Sequence, residues 1–114
     1  MNNIEHIKKC KVSYKGTQNC ILKYITMRSK TKNPVVTIEE IINFFPHKIK
    51  RKDTLMRMLK TMVKNNFIKE KNSGYIITHI GKQVPFVVAN CYRQSLTEAG
   101  KRVEYAIDNW SDDE

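Results

Sequence analysis

The chain has 114 residues and carries 21 Lys and Arg against 11 Asp and Glu, giving a formal net charge of +10 and a pI near 9.7. That length provides one domain with a single modest core, and the charge favours a polyanionic partner, of which nucleic acid is the commonest. No segment approaches the roughly 20 consecutive apolar residues needed to cross a bilayer, and the opening MNNIEHIKKC lacks the apolar run of a signal peptide, so a soluble cytoplasmic protein with no membrane partner is expected.

Residues 1–16 read as an N-terminal arm. Ile4 and Ile7 can start a short helix, and Lys11 to Tyr14 look extended before Gly16 breaks the run. Thr17 is the expected N-cap of a helix through Arg28, with Cys20, Ile21, Tyr24, Ile25 and Met27 as its apolar surface. A polar connector from Ser29 to Pro34 leads to a very short extended segment at Val35 and Val36. The string Thr37-Ile38-Glu39-Glu40 is a capping box, in which hydroxyl and carboxylate each satisfy a free backbone N–H. Ile38, Ile41, Ile42 and Phe45 give the helix it opens one apolar stripe, and Pro46 stops it.

After a turn from Pro46 to Lys50 comes the most informative stretch of the chain, a helix expected over 51–66. Leu55, Met58, Leu59, Met62 and Val63 recur at i, i+3, i+4, i+7 and i+8 and form a buried face. Asp53, Thr54, Arg57, Lys60, Thr61 and Lys64 fall on the opposite face, with Lys50, Arg51 and Lys52 clustered at its N-terminal end. Between His47 and Lys82 the basic residues are Lys48, Lys50, Arg51, Lys52, Arg57, Lys60, Lys64, Lys69, Lys71 and Lys82, and the only acids are Asp53 and Glu70. An alternative account is an ordinary solvated charged surface. A helix that buries one stripe and offers Arg, Lys and Thr on the other has the chemistry of a major-groove reader.

Phe67 to Lys71 and Tyr75 to Ile80 then read as a hairpin around Asn72-Ser73-Gly74. Here the chain resembles a known family. From Thr17 to Ile80 it looks like the winged-helix regulators of the MarR and PadR type and their small archaeal and viral relatives. The residues that carry the likeness are Thr37 to Phe45 as a support helix and DTLMRMLKTMVKNNFIKE running into the first wing strand. Tyr75-Ile76-Ile77-Thr78-His79-Ile80-Gly81 completes it, matching the Tyr-x-aliphatic-Thr-x-x-Gly pattern that often ends the wing. The resemblance implies a mainly helical α+β fold, a winged helix-turn-helix with a two- or three-stranded wing and a C-terminal helix, the winged domain covering 17–96.

A second partial match to the wing ending lies at Leu96-Thr97-Glu98-Ala99-Gly100-Lys101-Arg102. A helix starting at the first match would have to contain Gly81 and meet Pro85, both unfavourable, so the second is preferred. On that reading Gly81 to Pro85 is a turn, Phe86 to Ser95 is a third strand, and a final helix starts at Thr97 within a last segment, 97–114, that ends in an acidic tail. Ala99, Val103, Ala106, Ile107 and Trp110 form one stripe at spacings of three and four. The stripe packs back on the first helix or, as the sharper expectation, Val103, Ala106, Ile107 and Trp110 form a two-fold interface between copies that read two half-sites.

These elements point to sequence-selective binding of double-stranded DNA by a small, nucleoid-associated transcriptional regulator. Arg57 is the candidate for bidentate contact with guanine, and Thr54 and Thr61 for base edges or thymine methyls. Lys50, Arg51, Lys52, Lys60 and Lys64 are candidates for phosphates, and Lys69, Lys71, Asn72 and Ser73 for the backbone or an adjacent minor groove. The alternative is a winged-helix adaptor within a larger assembly; RNA binding ranks third, for want of an aromatic stacking platform.

Catalysis finds little support. His6, His47 and His79 sit on separate elements, Glu39 and Glu40 point different ways, and no nucleophile motif or Gly-rich phosphate loop is present. Cys10, Cys20 and Cys91 form neither an even disulfide framework nor a C-x-x-C pair, which suits a reducing compartment and a packing role. His6, Cys10 and Cys20 lack zinc-site spacing and a fourth ligand. No metal, cofactor or enzymatic activity is expected.

Overall fold

The computed structural model describes residues 3–99. It is mostly helical, with helices α1 (Asn3–Cys10), α2 (Thr17–Arg28), α3 (Ile38–Phe44) and α4 (Lys52–Lys64), a hairpin of β1 (Ile68–Lys71) and β2 (Gly74–Ile77), and a long helix α5 (His79–Ala99). The two strands pair antiparallel with Ile68 opposite Ile77 and Lys71 opposite Gly74. On the other edge of β2, Val36 forms a single bridge to Tyr75, its N–H donating to the Tyr75 carbonyl at 2.9 Å and its carbonyl accepting from the Tyr75 N–H at 2.8 Å. That bridge ties the α2–α3 connector to the hairpin.

One core joins these elements. Ile21, Leu22 and Ile25 of α2, Ile41 of α3, Leu55, Leu59 and Met62 of α4, Phe67, Ile68, and Val84 and Val88 of α5 are buried together, and Ile7 brings α1 into the same cluster. Helix α1 is therefore tied to the core through Ile7. His6 adds a second tie, its Nε2 lying 2.8 Å from the Asn65 carbonyl and its ring edge-on to Phe67.

Local chemistry explains most boundaries. The capping box at α3 forms as expected: the Thr37 hydroxyl accepts from the Glu40 N–H (3.2 Å) and the Glu40 carboxylate accepts from the Thr37 N–H (2.9 Å). Helix α4 ends in a Schellman motif, with Asn66 left-handed at φ 68°, its N–H bonded to the Val63 carbonyl and the Phe67 N–H bonded to that of Met62. The hairpin turn has Asn72 and Ser73 at φ 50° and 64°, the positive pair required by a type I′ turn.

Five expectations need correction. Thr17 is the first residue of α2 rather than its cap; Gly16, extended and itself closing a turn onto the Ser13 carbonyl (3.0 Å), takes the cap position without a side-chain bond. The segment Phe86 to Ser95 is not a third strand but the middle of α5, and the helix expected to start at Thr97 is that same helix, which continues to Ala99. The hairpin thus ends at the first of the two matching strings, and His79 opens a helix instead of lying in a strand.

The physical reason is visible at Thr78. Its hydroxyl accepts the Gly81 N–H at 2.9 Å, capping α5, and its single proton is shared between the backbone carbonyls of Asn66 (2.5 Å) and Phe67 (2.9 Å). Pro85 removes one intrahelical hydrogen bond. The burial of Val84 and Val88 and the packing of α5 on α2 and α1 outweigh that loss.

Candidate nucleic-acid interface

Helix α4 is held by its buried stripe. Leu55, Leu59 and Met62 are within 1% of full burial, with Met58 and Val63 half-buried beside them. The orientation of the other face follows from that anchoring. Asp53, Thr54, Arg57, Lys60, Thr61 and Lys64 are all exposed, so every residue assigned to the outer face lies on it. At about 1.5 Å per residue the 13-residue helix presents a ridge of roughly 20 Å.

Before α4, the buried Ile49 pins the α3–α4 turn, its N–H donating to the Phe45 carbonyl at 3.0 Å. Lys48 and Lys50 on either side of it are exposed. Together with Arg51 and Thr54 they line a recess of about 230 Å³ that is closed on the far side by Thr17, at the start of α2. The sequence alone did not place Lys48 and Thr17 in this group, because membership depends on the fold bringing the start of α2 to the recess that the turn before α4 lines. The alternation of an apolar Ile49 between two lysines was the available signal for Lys48.

Charge at this end is partly paired. Arg51 reaches over the first turn to Asp53, Nη2 to Oδ2 at 2.9 Å and Nε to Oδ1 at 3.3 Å. This bond holds the Asp53 carboxyl below its ordinary value, with lesser help from the Thr54 N–H and the Arg57 charge. Lys52 lies 3.7 Å from Glu39 of α3. Both pairs are exposed and weak. Among the described residues no ion pair engages Arg57, Lys60 or Lys64, and the Thr61 hydroxyl donates to the Arg57 carbonyl at 3.2 Å.

The hairpin candidates occupy a different place. Lys69, Lys71, Asn72 and Ser73 are exposed; the last three line a recess of about 370 Å³ with Ile38, Glu70, Gly74 and Tyr75, separate from the one beside α4. Two recesses therefore flank the stretch from α3 to the hairpin. Val103, Ala106, Ile107 and Trp110 lie outside the described residues. No group of three or more His, Cys, Asp or Glu side chains able to hold a metal occurs among the described residues, nor does a helix long and apolar enough to cross a membrane.

Comparison of the chain with protein-family models, with curated proteins and with solved structures finds no match. The chemistry of this surface carries the functional argument.

Proposed function

We propose that this chain binds double-stranded DNA as a winged helix-turn-helix, laying α4 in the major groove with α3 as the support helix and the β1–β2 hairpin as the wing. The observation that carries the reading is the division of α4, whose buried stripe fixes Arg57, Lys60 and Lys64 outward on one ridge free of ion pairs among the described residues. A major groove about 12 Å wide admits such a helix. Arg57, near the middle, reads guanine O6 and N7 through its planar fork, and Thr54 and Thr61 touch base edges. Lys50, Lys60 and Lys64 neutralise phosphates and set the register, with Lys48 as an added phosphate contact from the recess beside Thr17. Lys69, Lys71 and Asn72 place the wing on the backbone or in the adjacent minor groove.

Such a protein acts as a small transcriptional regulator on nucleoid DNA in the cytoplasm, and its likeness to the MarR and PadR regulators belongs to the same proposal. Residues 103–110 carry the apolar stripe available for pairing two copies on two half-sites. The experiment for DNA binding is a selection of bound genomic fragments by the purified protein beside an RNA competitor. Enrichment of a recurring duplex motif supports the reading, and retention of the RNA alone rejects it.

A further inference from the structure

Helices α1 and α5 enclose an open apolar groove of about 360 Å³, lined by none of the residues that the DNA reading uses. Ile7 and Val12 form one wall. Val87, Cys91 and Tyr92, one stripe of α5, form the other and are only half-buried. Lys8 and Lys11, both exposed, supply positive charge along its rim. Ser95 lines the end of the groove, one helical turn before α5 reaches Ala99.

We infer that this groove is the docking site of the chain's own last residues, 101–114. Three features select that occupant. The first is position and length: Ser95 lines the groove one turn before Ala99, the last described residue of α5, and fifteen residues, 100–114, follow it in the sequence. At a helical rise of about 1.5 Å per residue, Val103 to Trp110 covers roughly 10 Å, against roughly 12 Å for Val87 to Ser95. The second is pattern, since Val103, Ala106, Ile107 and Trp110 give the segment one apolar stripe to set against the apolar walls. The third is charge. Glu104, Asp108, Asp112, Asp113 and Glu114 are five of the chain's 11 acids, and no Lys or Arg follows Arg102. An acidic strip with one apolar face complements an apolar trough with a lysine rim.

The inference is independent of DNA binding, and Trp110 makes it directly testable because it is the only tryptophan in the chain. In the full-length protein, at a concentration where sedimentation gives a monomer, Trp110 emission is expected to be shifted to the blue and shielded from acrylamide. Lys8→Glu combined with Lys11→Glu alters only exposed side chains and should shift the emission to the red and raise quenching toward that of free tryptophan. Cys91→Glu should do the same from inside the groove, with circular dichroism confirming that each variant is folded. A red-shifted, freely quenched Trp110 in the unaltered protein overturns the inference. So does shielding that persists in both folded variants, which places the tryptophan elsewhere, or shielding that appears only with dimer formation, which assigns the groove to a second copy.

Discussion

Gly81 lies so close to Phe67 that a Cβ built on it would collide with the Phe67 carbonyl oxygen. The contact fixes where α5 departs from the hairpin, because the obstructing atom is backbone and cannot swing aside as a side-chain tip can. Gly81→Ala should therefore destabilise the fold by about 3 kcal/mol, the upper end of the range for overpacking. Urea unfolding measures this, and a loss near zero would show that α5 can slide away from Phe67 freely.

Thr78 acts beside it. Replacing Thr78 with Ala removes the cap of α5 and the hydroxyl bonds to the Asn66 and Phe67 carbonyls, and should cost about 1–2 kcal/mol, in line with a lost N-cap. Thr78→Ser keeps the hydroxyl and should retain most of that stability. Equal losses in the two variants would point to the methyl group instead of the cap.

A third prediction concerns acid. The Glu40 carboxyl is held below its ordinary value of 4.5, first by the Thr37 N–H and then by Arg28, whose Nη1 is 3.1 Å from Oε2. A carboxyl depressed in the folded state stabilises the fold above its unfolded value, and that contribution is lost as pH falls from about 4.5 through the lower folded value. Glu40→Gln should flatten the stability profile in this window and leave its shape near neutral pH unchanged. Because Arg28 also donates to the Tyr24 hydroxyl and to the carbonyls of Asn33 and Val35, Arg28→Lys should destabilise more than the exchange of charge suggests, since an ammonium cannot reproduce the fork. Unchanged acid sensitivity in Glu40→Gln would contradict the assignment.

Asp53 offers a fourth. Its carboxylate holds Arg51 across the first turn of α4, so Asp53→Asn should release Arg51 to a phosphate. Binding to all duplexes should tighten together, and the salt dependence should steepen by about one unit. Weaker binding, or tighter binding on a single sequence only, would count against Arg51 as a backbone contact.

How much of this was legible depended on whether local and tertiary signals agreed. At α4 the 3.6-residue apolar period and the polar opposite face coincide, so the helix and its exposed residues could be read directly, while its end at Lys64, two residues short of the expected 66, depends on the left-handed Asn66. The capping box at Thr37 and Glu40 was legible for the same reason. In α5 the signals conflict: Gly81 and Pro85 break helices in isolation, and Phe86, Val87 and Val88 look like a strand. Only the burial of Val84 and Val88 and the cap at Thr78 make that segment helical. Within the candidate interface, the α4 face was legible from one helix, whereas Thr17 joins it by lining a recess shared with residues distant in sequence.

The central claim, that α4 reads DNA with Arg57 and positions itself with its lysines, is tested most directly by titrating a selected duplex and a random duplex at several salt concentrations. Lys64→Ala should weaken binding to both about equally and reduce the salt slope by about one unit. Arg57→Ala should cost about 1–3 kcal/mol on the selected duplex and much less on the random one, with thermal melts unchanged because Arg57 is exposed opposite Leu55 and Leu59. Equal losses on both duplexes would reduce Arg57 to a phosphate contact, and no loss on either from both substitutions would contradict the assignment of α4 as the DNA-reading helix.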